Sequence, residues 1–94
     1  MKITDFIWYD EIVEKLEQKH NVRQQEVREV FANRPQFRFV EKGHRPMENV
    51  YAALAQTIAG RYLIVFFIYK MDNQALILSA RDMTHTEVRK YDRK

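Results

Sequence analysis

A chain of 94 residues holds a single domain, spanning 1–94, and buries only about 60–65% of the surface its unfolded form exposes, so its core is compact and leaves little room for a deep enclosed pocket. With 46% hydrophobic and 13% aromatic residues it is too apolar for disorder, and with no cysteine it has no disulfide framework, thiolate zinc site or cysteine nucleophile. The net charge of +3 divides into −2 over residues 1–33 and +5 over residues 34–94, an asymmetry that suits a polyanion or an acidic protein and is equally common on ordinary basic surfaces.

Residues 2–9, rich in Ile, Phe, Trp and Tyr, predict a first strand. Asp5, Asp10 and Glu11 are foreign to a signal peptide. The longest apolar run, residues 63–69, is far short of the ~20 residues a membrane helix needs. With no cysteine to oxidise, a cytoplasmic protein without membrane contact is expected. Asp10 is a good N-cap for a helix to about residue 19 or 20, with Ile12, Val13, Leu16 and His20 on one face. Asn21 can end it in the left-handed conformation. A second helix covers about 23–32, with Val27, Val30 and Phe31 inward, and Asn33-Arg34-Pro35 stops it.

The pattern then changes to strands. Residues 36–41 alternate, Phe37 and Phe39 on one face and Arg38 on the other; 42–48 is a polar loop; 50–58 is a strand, with Ala59-Gly60 as its turn. Residues 61–70 are apolar on both faces, as in a central strand. A hairpin turn at 71–73 leads to a last strand over 75–81, and Thr84 with Glu87 forms a capping box that starts a short basic helix. The expected fold is α+β: an antiparallel sheet with helices packed on it, in the order β-α-α-β-β-β-β-α.

This layout resembles the BrnT family of bacterial type II toxins, small ribonucleases related in fold to RelE. The resemblance rests on Trp8 with Asp10 and Glu11, on Lys19-His20-Asn21-Val22, on Val50-Tyr51-Ala52-Ala53-Leu54, on Gly60-Arg61-Tyr62-Leu63-Ile64-Val65-Phe66-Phe67, on Leu78-Ser79-Ala80-Arg81, and on Glu87 with Tyr91. Asn21 and Ala55 stand where the family tends to have glycine. The resemblance implies a RelE-like fold and an RNA-cleaving toxin neutralised by a BrnA-like antitoxin, with operator DNA bound only through that antitoxin. A non-catalytic nucleic-acid-binding or antitoxin-binding regulatory domain on the same fold is the alternative.

Metal-free RNA cleavage needs an aligned 2′-hydroxyl, a proton acceptor, and a cation for the phosphate oxygens. His20, His44 and His85 show no metal-ligand spacing, so neither metal nor cofactor is expected. Arg81, at a strand end beside a helix N-terminus, is the first choice for the cation, with a structural ion pair to Asp82 or Glu87 as the competing reading. Arg61 stands at the start of the central strand and can face the same side, or be a solvated charge. His20 can act as general acid or phosphate clamp, or cap its helix. Lys19, Arg38, His85, Arg89 and Lys90 are candidate RNA contacts, each equally a solvated face, and Tyr91 either stacks on a base or packs its helix.

Overall fold

Two helices separate the first strand from the other four, and this connection decides the sheet. In the computed structural model, which describes residues 1–93, the elements are β1 (Asp5–Ile7), α1 (Asp10–His20), α2 (Gln24–Ala32), β2 (Gln36–Glu41), β3 (Val50–Gln56), β4 (Tyr62–Lys70), a 3-10 turn (Met71–Asn73), β5 (Gln74–Asp82) and α3 (His85–Asp92). The fold is α+β in the order read from the sequence, with one five-stranded sheet arranged β1-β5-β4-β3-β2. β2 to β5 pair antiparallel with their chain neighbours, but β1 pairs with β5 in parallel. The sheet is therefore mixed rather than wholly antiparallel. The helix pair returns the chain so that β2 runs opposite to β1, and three hairpin reversals bring β5 alongside β1 in β1's own direction.

Several boundaries shift. β1 is three residues long, and Tyr9 rather than Asp10 is the N-cap of α1. Asn21 ends α1 in the left-handed region at φ 53°, ψ 42°, which asparagine tolerates better than most side chains. β3 stops at Gln56 because Thr57 already enters the turn, where its carbonyl accepts from the Gly60 N–H at 2.9 Å and Gly60 takes φ 92°.

The core lies between the α1–α2 pair and one face of the sheet. Leu16, Val22, Val27 and Val30 are buried there with Leu63, Val65, Phe67, Ile77 and Ala80. Phe31 sets its ring edge-on against Phe67 at 5.2 Å and Phe6 at 5.1 Å, an arrangement favoured by the aromatic quadrupoles. Ala53 and Ala55 are fully buried in β3, and their small side chains let α2 settle on that strand.

The register places three cross-strand rows on the opposite face: Gln36–Leu54–Ile64–Arg81, then Arg38–Ala52–Phe66–Ser79, then Val50–Ile68–Leu76–Ile7. α3 covers the first row. Tyr91 of α3 is buried, edge-on to Tyr62 at 6.0 Å, and its carbonyl accepts from Gln36 Nε2 at 3.1 Å. A bulge decides which β5 side chains arrive here. Phe66 pairs with Ser79 but Phe67 with Ile77, so Leu78 is the extra residue. It reverses the alternation, leaving Ile77 in the main core while turning Ser79 and Arg81 to the α3 side.

Candidate nucleic-acid interface

β5 ends in Arg81 and Asp82, consecutive residues that point to opposite faces of the sheet. Each anchors a different cluster at this rim. On the α3 side, the Arg81 guanidinium lies 5.6 Å from the centre of the Phe66 ring, within cation–π range. Its Nη1 and Nη2 donate to Glu87 Oε1 and Oε2 at 2.8 and 3.1 Å, and Nη1 also donates to the Asp82 carbonyl at 3.0 Å. Glu87 Oε1 in turn accepts from the Thr84 N–H at 2.8 Å, while Thr84 Oγ1 accepts from the Glu87 N–H, which is the predicted capping box. The hydrogen bonds from Arg81 are the main reason the Glu87 carboxyl sits below its ordinary range, and Glu87 raises Arg81 in return.

An arginine carries five N–H groups. Three of Arg81's are taken by Glu87 and Asp82, and its Nε/Nη2 edge has no protein acceptor among the described residues. The side chain is 36% exposed. A second oxyanion can therefore take that edge in bidentate fashion without displacing Glu87.

Arg61 lies on the other face. Its Nε and Nη2 donate to the Asp82 carboxylate at 2.7 and 3.3 Å, and its Nη1 to Glu26 at 3.2 and 3.3 Å. Nη1 and Nη2 also reach the carbonyls of Asn21 and His20, at 2.7 and 2.9 Å. All five N–H groups are engaged. Arg61 thus closes the C-terminal end of α1, where backbone carbonyls lack helical partners, and ties it to α2 and β5. The Asp82 carboxyl is held low chiefly by Arg61, with a smaller contribution from His20 nearby.

The structure gathers Lys19, His20 and Arg61 on one side of this rim and Arg81 with His85 on the other. Lys19 is exposed and His20 half-buried in the last turn of α1. His85 opens α3 and is exposed, as are Arg89 and Lys90 farther along it. Tyr91 is packing: only 6% of it is exposed. Arg38 stands on the same face as Arg81, in the row that crosses Phe66. In the sequence Phe66 stands out only as part of the β4 motif and not as a site residue, because β4 is apolar on both faces and its place in the row of Arg38 depends on cross-strand register. A cleft of about 620 Å³ lies elsewhere, between α2 and the β3–β4 turn, and none of these residues lines it. Among the described residues no group of three or more His, Asp or Glu side chains converges on a metal-sized site.

Fold and rim together define a small α+β domain with two arginine-centred clusters at the end of β5. A family model described as the ribonuclease toxin BrnT of type II toxin-antitoxin systems matches residues 8–87, a span running from Trp8 to the Glu87 that pairs with Arg81. The chain belongs to this BrnT family of ribonuclease toxins. Comparison with curated proteins finds no match.

Proposed function

We propose that this chain is a metal-independent endoribonuclease, the toxin of its pair, with Arg81 stabilising the transition state. The observation that carries the reading is the free Nε/Nη2 edge of Arg81, held in place by Glu87 and Phe66. In the reaction the ribose 2′-oxygen attacks phosphorus and gives up its proton to a base. The 5′-oxygen leaves and takes a proton from an acid, yielding a 2′,3′-cyclic phosphate and a 5′-hydroxyl. Charge grows on the non-bridging oxygens, where a preorganised guanidinium is worth most. His20 is the candidate for proton transfer, and because it stands on the Arg61 side of the rim it would act only on RNA that wraps the end of the sheet between the two faces. Lys19, Arg38, His85, Arg89 and Lys90 would hold the RNA backbone. Arg61 and Tyr91 would act as positioning residues, Arg61 through the His20 carbonyl and Tyr91 by seating α3 on the sheet. Neutralisation would fall to a BrnA-like antitoxin in the cytoplasm, which would also make the operator contact.

The test is cleavage of a defined RNA by the purified chain with and without a chelator. Equal cleavage in both supports the metal-independent reading. Loss in chelator with recovery on adding a divalent ion overturns it, and intact RNA throughout overturns the nuclease.

A further inference from the structure

β2 is the last strand of the sheet, with β3 on one side and, among the described residues, no strand on the other. About half of its backbone N–H and C=O groups therefore point outward. The other edge, β1, is only three residues long, whereas β2 has six. Natural edges are usually blunted. This one carries an irregularity at Val40 but leaves large apolar side chains open, with Phe39 60% and Val40 43% exposed. Phe39 is on the α1–α2 side, against Tyr51, and α2 does not reach far enough to cover it. On the α3 side the same strand presents Arg38, flanked in sequence by Arg34 and Lys42, and none of the three has an acidic side chain within ion-pair distance among the described residues.

We infer that the free edge of β2 is a docking strand for a protein segment in which apolar and acidic residues alternate, added as a sixth strand. The alternation follows from the two faces: every second side chain of the incoming strand lands beside Phe37 and Phe39, and those between land beside Gln36 and Arg38. Backbone hydrogen bonds supply much of the affinity, and the alternating side chains supply the choice of partner. A second copy of this chain is the poorer occupant, because its β2 offers only one acidic side chain, Glu41, and brings Arg38 with it, where an acidic strand meets Arg38, Arg34 and Lys42 with carboxylates alone. The inference needs a protein partner, as a type II toxin family implies, but not the cleavage chemistry. It also suggests how a partner would silence an RNA-binding face: an acidic strand beside Arg38 occupies a cation proposed for the RNA backbone.

The experiment uses the full chain and three synthetic decapeptides: one alternating valine and glutamate, one with lysine for glutamate, and one like the first with a central proline. Binding is read by fluorescence titration and by amide hydrogen exchange. The glutamate peptide is expected to slow exchange within residues 36–41 and to bind more weakly as salt rises. The lysine peptide should bind at least about fivefold more weakly, the scale of one cross-strand charge pair, and the proline peptide should give no protection. Arg38→Glu should reverse the preference between the two charged peptides. Lys42→Glu, in the loop beyond β2, should weaken the glutamate peptide in the same direction even if Arg38→Glu fails to fold. Equal binding of both charged peptides, protection at β1 instead, or no protection at millimolar peptide overturns the inference. So does β2 protection that appears only on concentrating the free chain, or only with an RNA oligonucleotide.

Discussion

Arg61, just before β4, and Arg81, near the end of β5, stand near one rim of the sheet, yet they are opposite kinds of arginine. Arg61 spends every N–H on its own chain: two carboxylates and the last carbonyls of α1. Arg81 is fixed by one carboxylate, one carbonyl and a ring face, and keeps a two-donor edge toward solvent. A guanidinium whose donors are all satisfied holds a fold together, and an anion could reach it only by breaking what it holds. One that is positioned but not exhausted can bind. The carboxylate on Arg81 thus does not argue against a ligand there, since it orients the fork and leaves an edge open.

The largest effect should come from Arg81→Ala, expected to lower RNA cleavage by about two to three orders of magnitude, as loss of one preorganised donor does, with a melting temperature within a few degrees of the parent. Arg81→Lys should rescue poorly, because an ammonium cannot present a bidentate edge. Cleavage and melting are to be measured on one preparation. Full activity in the alanine variant would remove the distinction between the two arginines; inactivity with loss of fold would make Arg81 another Arg61.

Arg61→Ala should act on stability first. It leaves Glu26, Asp82 and two helix-end carbonyls without their donor, at a cost of about 2–3 kcal/mol, below the figure for a fully buried pair because Arg61 is 24% exposed. For a domain of this size that is a fall in melting temperature of roughly 10–20 °C. Thermal denaturation checks it. An Arg61→Ala protein that melts like the parent but no longer cleaves would place Arg61 in the chemistry and break the comparison.

The two carboxylates should also show themselves in acid. Glu87 and Asp82 are both lowered from ordinary values of 4.5 and 3.8, by Arg81 and Arg61 respectively. For a group with a depressed folded pKa, the stability contribution is complete above the unfolded value and is lost as pH falls through the folded one. Stability should therefore be flat with respect to these groups above about pH 5 and fall as pH drops below about 4.5. Glu87→Gln should flatten the upper part of that fall, and Asp82→Asn the lower part, in melting curves recorded from pH 6 to pH 2. Unchanged acid profiles in both variants would mean that neither pair is linked to folding.

The smallest effects belong to the exposed cations of α3. Lys90→Ala or Arg89→Ala should weaken RNA binding a few-fold and reduce the salt slope by about one unit for each phosphate no longer neutralised, without altering the cleavage rate at saturating RNA. A change in that rate instead would bring α3 into the reacting centre.

Much of the molecule follows from local sequence because its determinants are short-range. Thr84 and Glu87 meet across one helical turn, Asn21 ends α1 through its own backbone conformation, and hairpin spacing forces β2 to β5 into an antiparallel ribbon. Arg81 was legible as a strand-end arginine beside a capped helix, with Glu87 as its competing partner. The parallel pairing of β1 was not, since it depends on counting reversals through two helices whose packing is tertiary. Nor was the face of Arg81. Strict alternation from Ile77 sends Ser79 and Arg81 into the main core, and only the extra residue Leu78, absorbed by pairing against β4, turns Arg81 onto Phe66. Local sequence leaves Arg61 free to face the same side as Arg81, because the carbonyls of His20 and Asn21 that claim it are about forty residues away in the chain. The sequence by itself determined the elements, their order and the supply of cations; tertiary structure decided which cations were used up in building the fold and which kept unpaired donors, because a donor is satisfied only by an acceptor that folding brings within reach.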